Sequence, residues 1–530
     1  MNVKLNVFRF DPSVDAEPRY EVHEIPAERE TTVLDGLIYI KENLSSTLSF
    51  RRSCREGACG SCAMRINKIS SLACKTHIFD VFKNNSVLVE PLDHFQVIRD
   101  LVVDLEPFFN GLSHIRPWRI ANLLEDNVEK PRKIDMNKFL KTMEAKSCIL
   151  CAACYSDCNV IDVDRTFIGP ASLVKVARFM SDPWDSHDGR LREAIDLGLF
   201  KCPIDQECEI ACPKGIDIRR GVVEWLRYQC AKDGLGPLPT HRQLVLNVIN
   251  TGGVVPIQNT PAFDLLPEYN KEFEGEPQAE VVLFTGCIIN RRQQDTCKAI
   301  IEIFQNNRVT VHLPRAQTCC GSPFMRTGQR DTMRPFVERN FNLFNEFAEK
   351  GIKHVVTSCS GCNSTFRFDY PQLAKEYNIP MNFEIYDIGE YMAKIINLNT
   401  NDLKESPLKL MYHYPCHIKA SKLEEEIYID LLNKIPALEL VDAPKSGLCC
   451  GGGGGVRSAY PQLSDDLALR RIEIAKEYGV TGLVTNCPFC VISFERVLKM
   501  KKEQGEDMGF NLHDFYRLFA DAYKKKNENN

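Results

Sequence analysis

The chain has 530 residues, 44% of them hydrophobic, enough for about three or four domains with real cores. Its 66 basic and 71 acidic residues leave a net charge of −5, which removes the electrostatic case for a nucleic-acid partner. There is no run of about 20 apolar residues, and the amino terminus MNVKLNVFRF alternates like a strand instead of opening on the apolar block of a signal peptide, so a cytoplasmic location is expected. The anomaly is 23 cysteines. A reducing cytoplasm disfavours a disulfide framework, which leaves metal sites as the reading.

In chain order, residues 2–10 and 20–25 read as strands and 32–43 as a helix. The stretch RRSCREGACGSCAMRINKISSLACKT follows, and its Cys54, Cys59, Cys62 and Cys74 have the C-x4-C-x2-C…C spacing of a plant-type [2Fe-2S] site, with structural zinc as the alternative. Next comes CILCAACYSDCN, with Cys148, Cys151, Cys154 and Cys158, answered by CPIDQECEIACPKG, with Cys202, Cys208 and Cys212. In a two-cluster ferredoxin run the last cysteine ligates the other cluster. That rule assigns Cys148, Cys151, Cys154 and Cys212 to a [4Fe-4S] cluster and leaves Cys158, Cys202 and Cys208 for a second one. Three thiolates suit a [3Fe-4S] centre, and Asp205 stands where a carboxylate could hold a fourth, labile iron. Its competing role is a solvated loop aspartate, since iron in such clusters prefers sulfur.

Residues 1 to about 235 resemble the iron-sulfur subunit of succinate dehydrogenases and fumarate reductases through SFRRSCREGACGSCAMRIN, SLACKT, CILCAACYSDC, FIGPASL and CPKG, in that order. The resemblance implies a β-grasp plant-type ferredoxin domain over 1–105 and an α-helical two-cluster ferredoxin domain over 106–235. It also implies a separate flavoprotein carrying FAD; no G-x-G-x-x-G follows a strand here, so the chain shows no flavin site of its own.

Residues 231–280 are rich in Pro, Gly and Asn and read as a linker, bounded at 236–279, with one short helical stretch near HRQLVLNVI. An internal repeat follows. Cys287, Cys319, Cys320, Cys359 and Cys362 are echoed by Cys416, Cys449, Cys450, Cys487 and Cys490, and TCCGSP and VVTSCSGC by LCCGGG and LVTNCPFC. VVLFTG, HVVTS, LMYHYP and GLVTN each read as a short buried strand, so the cysteines after them emerge at carboxyl ends, where open α/β sheets bind ligands. Adjacent thiols are poorly placed to bond to each other but can serve two irons of one cluster. Gly451–Gly455 lack the Lys-Ser/Thr of a phosphate loop and instead allow close backbone approach with amide hydrogens aimed at a ligand.

The doubled C…CCG…C-x2-C pattern over 280 to about 495 resembles the catalytic subunit of heterodisulfide reductases. That family implies a noncubane [4Fe-4S] cluster on each set of five cysteines, facing a disulfide or a pair of thiols. The whole is thus expected to be an α+β multidomain chain. Two α/β repeats, 280–403 and 404–510, related by pseudo-twofold duplication, precede a C-terminal helix and tail over 511–530. The two halves in one chain resemble the thiol:fumarate reductases of methanogenic archaea. The resemblance implies oxidation of coenzyme M and coenzyme B thiols to the heterodisulfide, with electrons passing through the ferredoxin clusters to the flavoprotein that reduces fumarate. Those coenzymes carry sulfonate and phosphate, so Arg315, Lys419, Arg457, His413 and His417, near the cluster cysteines in sequence, are candidate contacts or else surface charges and core histidines. Cys230 and Cys297 belong to no group. Two other functions compete: an electron-transfer subunit of a menaquinone-linked succinate dehydrogenase or fumarate reductase, and a non-catalytic zinc scaffold.

Overall fold

The computed structural model describes residues 1–82, 85–120, 135–257, 259–421, 423–424, 426–442 and 448–523. Met1–Cys202 with Gln206–Cys230 make one unit, and Pro203–Asp205 with Ala231–Asn530 make the other.

In the first unit, β1 (Asn2–Arg9) alternates so that Val3, Leu5 and Val7 point inward and are fully buried, as the period-2 pattern requires. It pairs antiparallel with β2 (Arg19–Pro26) and parallel with β5 (Ser86–Glu90). β3 (Ala63–Ile66) and β4 (Ile69–Leu72) complete the sheet in the order β2-β1-β5-β3-β4. Helix α1 (Val33–Tyr39) starts at a capping box of Thr32 and Asp35 and buries Val33, Leu34 and Leu37 against this sheet. A hairpin of β6 (Val97–Arg99) and β7 (Val102–Val103) leads to the helical part, which includes α2 (Met136–Lys146) and α3 (Pro170–Met180).

The second unit begins with the stretch expected as a linker. It contains α4 (Pro239–Thr251), which is held to the repeats by His241 Nε2 to the Gly455 carbonyl at 3.0 Å and by Arg291 Nη1, which donates to Thr251 Oγ1 at 3.0 Å. Two parallel sheets follow. The first holds β8 (Tyr269–Asn270), β9 (Ala279–Phe284), β10 (Val309–His312), β11 (His354–Thr357) and β12 (Glu384–Asp387), in the order β12-β11-β9-β10-β8, with only β8 antiparallel. The second holds β13 (Lys409–Tyr412), β14 (Glu439–Leu440), β15 (Gly482–Thr485) and β16 (Asn511–Asp514), in the order β14-β13-β15-β16. Without β8, the order is the same in both once β9 is matched to β13. The central strands are continuous apolar runs such as Val281–Phe284, as strands covered on both faces must be.

The covering helices are α5 (Gln294–Asn306), α6 (Arg334–Glu349) and α7 (Ile388–Lys394) in the first repeat. In the second they are α8 (Ile427–Leu432), α9 (Pro461–Glu477), α10 (Pro488–Glu503) and α11 (Phe515–Tyr523). The segment expected as a C-terminal helix and tail contains the helix, α11, and before it a strand that was not expected. Asn511–Asp514 is an edge strand paired with β15, and α11 packs on α5 of the first repeat. Ile300, Phe304, Phe515 and Phe519 share one core with residues of both repeats. The strand is short and polar (NLHD), so periodicity alone does not reveal it; residues 524–530 lie outside the described residues.

Candidate metal centres

In the first unit the loop Cys54–Cys62 wraps inward on itself. Cys54 Sγ accepts backbone N–H bonds from Glu56 at 3.4 Å and from Ala58 and Cys59 at 3.3 Å. Amides aimed at a sulfur stabilise negative charge there. Cys62 meets Cys74 across the start of the β3–β4 hairpin, where burial pushes its thiol up to about 12. Cys148, Cys151, Cys154 and Cys212 line one cavity, with Ala171 and Val174 of α3 among its walls, so the set assigned by the cross-over rule is gathered at one place. Burial raises the Cys151 thiol to about 11 and Cys154 further still. Such dry, crowded thiols ionise only when a cation is bound, as metal ligation supplies.

The two loops touch. Gly60, at φ +75°, has no side chain, and a Cβ there would lie 2.8 Å from Cys151 Cβ and 3.0 Å from its Cα. Cys158 is buried, and Cys202 and Cys208 are half-buried. Asp205 is buried. The backbone around Asp205 repeats that around Cys151. Leu150 and Ala152 have φ of 56° and 63°, and Ile204 and Gln206 have φ of 62° and 72°. Paired left-handed residues without glycine are costly and cluster at functional loops.

In the second unit the cysteines of each repeat form a chain of thiol contacts in the same order. Cys287 touches Cys319, Cys319 touches Cys320, Cys320 touches Cys362, and Cys362 touches Cys359. Likewise Cys416 touches Cys449, Cys449 touches Cys450, Cys450 touches Cys490, and Cys490 touches Cys487. The ends meet, because the Cys359 and Cys487 side chains contact each other. Nine of these ten residues are buried and Cys287 is half-buried. Cys359 and Cys487 follow β11 and β15 and are the N-caps of Ser360–Ser364 and α10, with nearly equal torsions of −112°, 119° and −104°, 119°. The positive end of α10 favours a thiolate at Cys487. Contact with Cys359, then Cys490, lowers Cys487 well below its ordinary value, whereas burial and then Cys450 raise Cys490. Ten converging sulfurs fit iron-sulfur ligation, while one tetrahedral zinc uses four ligands.

The glycines beside the second twin cysteine have a visible purpose. A Cβ on Gly451, at φ +72°, would fall 2.5 Å from the Ser464 carbonyl oxygen, and one on Gly452 would fall 2.8 Å from Ser493 Oγ and 3.5 Å from Cys450 Sγ. The Gly451 amide donates to Cys449 Sγ at 3.3 Å.

Of the basic candidates, Arg315 is exposed, 3.8 Å from Glu268. Arg457 is half-buried; burial and then Arg496 lower it, and it lies in the field of Cys450. His417 Nδ1 is 3.4 Å from Cys416 Sγ, and Lys419 is half-buried on the same short helix, Cys416–Ala420. His413 is fully buried and contacts Cys450; it lies with Cys450 and Cys490 in a group whose ligand atoms are within 4.8 Å of one another. Behind it stands Arg471, which the cysteine spacing does not single out; its Nε donates to His413 Nδ1 at 3.4 Å. Cys230 and Cys297 are fully buried, and burial raises Cys297 to about 12; Cys297 packs in the shared core away from both sets. Among the described residues no helix is long and apolar enough to cross a membrane.

The chain matches the family of 2Fe-2S iron-sulfur cluster binding domains over residues 4–110, the 4Fe-4S dicluster domain over 144–216, and the cysteine-rich domain twice, over 281–367 and 410–495. It is 32% identical to the B subunit of fumarate reductase (CoM/CoB) from Methanothermobacter marburgensis, over 94% of this chain and 95% of that one. Its amino-terminal part is 38% identical to the fumarate reductase iron-sulfur subunit of Mycobacterium tuberculosis, over 41% of this chain and 87% of the relative. Among solved structures, a hypothetical protein from Helicobacter pylori shares the fold, with a TM-score of 0.61 at 12% identity over 99% of this chain and 96% of that one.

Proposed function

Because this chain belongs to the family of the fumarate reductase (CoM/CoB) B subunit, we propose that it oxidises two thiols, coenzyme M and coenzyme B, to their mixed disulfide and delivers the electrons to a flavoprotein that reduces fumarate. The balance closes: two R–SH give R–S–S–R′, two protons and two electrons, and fumarate with two protons and two electrons gives succinate. The observation that carries the reading is the meeting of Cys359 and Cys487, because it sets the two cysteine sets side by side, and joining two substrate sulfurs requires two sulfur-binding centres at one place. On this reading Cys287, Cys319, Cys320, Cys359 and Cys362 hold one noncubane [4Fe-4S] cluster and Cys416, Cys449, Cys450, Cys487 and Cys490 the other. Cys54, Cys59, Cys62 and Cys74 hold a [2Fe-2S] cluster, and Cys148, Cys151, Cys154 and Cys212 a [4Fe-4S] cluster. Cys158, Cys202 and Cys208 hold the third ferredoxin centre, either a [3Fe-4S] cluster or a [4Fe-4S] cluster whose labile fourth iron is held by Asp205. When bound, the clusters supply one-electron storage and iron for sulfur to bind.

The protein's own groups do the rest. The Gly451 amide and the start of α10 stabilise negative sulfur, and the buried walls exclude water. Arg457 and His417 supply positive or polar groups for the anionic ends of the substrates. The five-stranded sheet of the first unit is then a β-grasp, and the repeats, bounded at 280–403 and from 404 onward, are related by a pseudo-twofold axis; their shared strand order supports this.

The test is anaerobic co-purification with the partner flavoprotein, then assay with both thiols and fumarate. Cys450→Ser is expected to abolish thiol-dependent fumarate reduction while dye-driven fumarate reduction persists. Full thiol-dependent activity in Cys450→Ser would overturn the proposal, as would a colourless, iron-free chain that binds zinc, or quinone dependence through a membrane partner with no response to thiols.

A further inference from the structure

The two cysteine sets follow one plan, but their surroundings do not. Three residues before the first cysteine of each set stand Phe284 and His413; four after the last stand Phe366 and Phe494; twenty-one after the twin pair stand Phe341 and Arg471. The placement is equivalent in space as well. Phe284 meets Phe366 edge-to-face at 4.7 Å and 89°, and His413 meets Phe494 at 4.8 Å and 88°. Behind the first set, then, the wall is aromatic; behind the second it is a histidine backed by a guanidinium. Arg471 is fully buried. Its Nε donates to His413 Nδ1 at 3.4 Å, its Nη2 lies 3.1 Å from Met411 Sδ, and its Nη1 has no hydrogen-bond partner. A buried cation with no carboxylate among these partners is costly unless an anion nearby compensates it. Donation from Arg471 fixes Nδ1 as the acceptor and puts the ring proton on Nε2, and the ring contacts Cys450. The second cysteine set, in a metal-loaded, thiolate form, would supply that anion.

We infer that His413 and Arg471 make the duplicated sites electrically unequal, so that the second set stabilises added negative charge and its cluster is reduced at higher potential than the first. Reduction adds one electron and one negative charge and breaks no bond. A fixed cation close by favours the reduced form, and an aromatic wall does not. Arg471 touches neither substrate nor iron; it is a positioning and charge-setting residue that acts through His413. The inference rests on the cluster-binding role proposed above.

The test is an anaerobic redox titration followed by electron paramagnetic resonance on the full chain with its flavoprotein, the second set's signal being assigned by its loss in Cys450→Ser. Arg471→Gln is expected to shift that signal to lower potential while the first set's signal stays in place, and Arg471→Lys to return it to the parent value. His413→Phe, which installs the first repeat's residue, is expected to lower it as well. Equal shifts of both signals, or none in either Arg471→Gln or His413→Phe, overturn the inference. If Arg471→Gln fails to load iron, Arg471→Lys decides, and a fall as large as that of His413→Phe overturns it. The absence of any signal that depends on Cys450 is a different failure, because it removes the cluster reading itself.

Discussion

Gly60→Ala tests the joint between the first two cysteine loops. The residue is at φ +75°, and an added Cβ would sit 2.8 Å from Cys151 Cβ, 3.0 Å from Cys151 Cα and 3.2 Å from the Ile149 carbonyl oxygen. Carbon atoms in ordinary contact are about 3.5 Å apart or more, so the loops must separate by roughly 0.7 Å. Left-handed backbone costs an alanine about 1–2 kcal/mol, and forcing a methyl into a packed contact adds about 1–3, for roughly 2–5 kcal/mol in all. The nearest neighbour is a Cβ fixed to the backbone, with backbone atoms just behind it, and it cannot swing aside as a lysine tip could. With a urea slope of about 2–3 kcal/mol/M for a unit of this size, the midpoint falls by roughly 1–2 M. The assay is anaerobic urea unfolding of the loaded chain, followed by the visible absorbance of the [2Fe-2S] site. Dipolar broadening between the two cluster signals, which weakens as they part, provides a second readout. An unchanged midpoint together with unchanged broadening would refute the contact.

Three more outcomes are expected. Cys297→Ala leaves iron per chain unchanged and lowers stability by about 1–2 kcal/mol, because its side chain only fills the shared core; loss of a whole cluster would show that the first set has been miscounted. Asp205→Cys stabilises a four-iron centre at the third ferredoxin site, thiolate being the softer ligand, and an unchanged oxidised spectrum would place Asp205 away from that centre. Asp387 is buried and raised to about 6, chiefly by burial, while the unfolded carboxyl stays near 3.8. The folded form therefore holds the proton longer, and stability falls as pH rises from about 4 to about 6, by up to about 3 kcal/mol. Asn still accepts from Gly389 and Tyr428, so Asp387→Asn flattens that window in urea midpoints measured against pH; parallel curves for parent and variant would rule out Asp387 as the source.

Cysteine spacing carries most of what is legible in the sequence. The strands before Cys287, Cys359, Cys416 and Cys487 are legible because continuous apolar runs of four to six residues bounded by turns have few other fates. The gathering of Cys148, Cys151 and Cys154 with Cys212 is legible because ligand cross-over is a rule of spacing. The contact of Cys359 with Cys487 is not, since it joins positions 128 apart through tertiary packing that no local pattern encodes. Arg471 is hidden for a related reason: the repeats align through their cysteines, and only the intervening residues set it opposite Phe341. The edge strand Asn511–Asp514 is polar and short, and it exists only because β15 offers it hydrogen bonds.

Helix α11, at the end of the second repeat, lies on α5 of the first, and α7, at the end of the first, lies on α8 of the second. Each half thus lends its last helix to the other, as two identical partners exchange arms in a closed dimer. A chain carrying one such repeat alone would expose the apolar faces that this exchange covers, and it would associate with a second copy or fail to fold. The fusion therefore fixes a stoichiometry: one polypeptide always brings both thiol-bearing halves, at an effective concentration set by the chain and independent of how much protein the cell makes. It also frees the halves to diverge, since a change in one is no longer imposed on its mate.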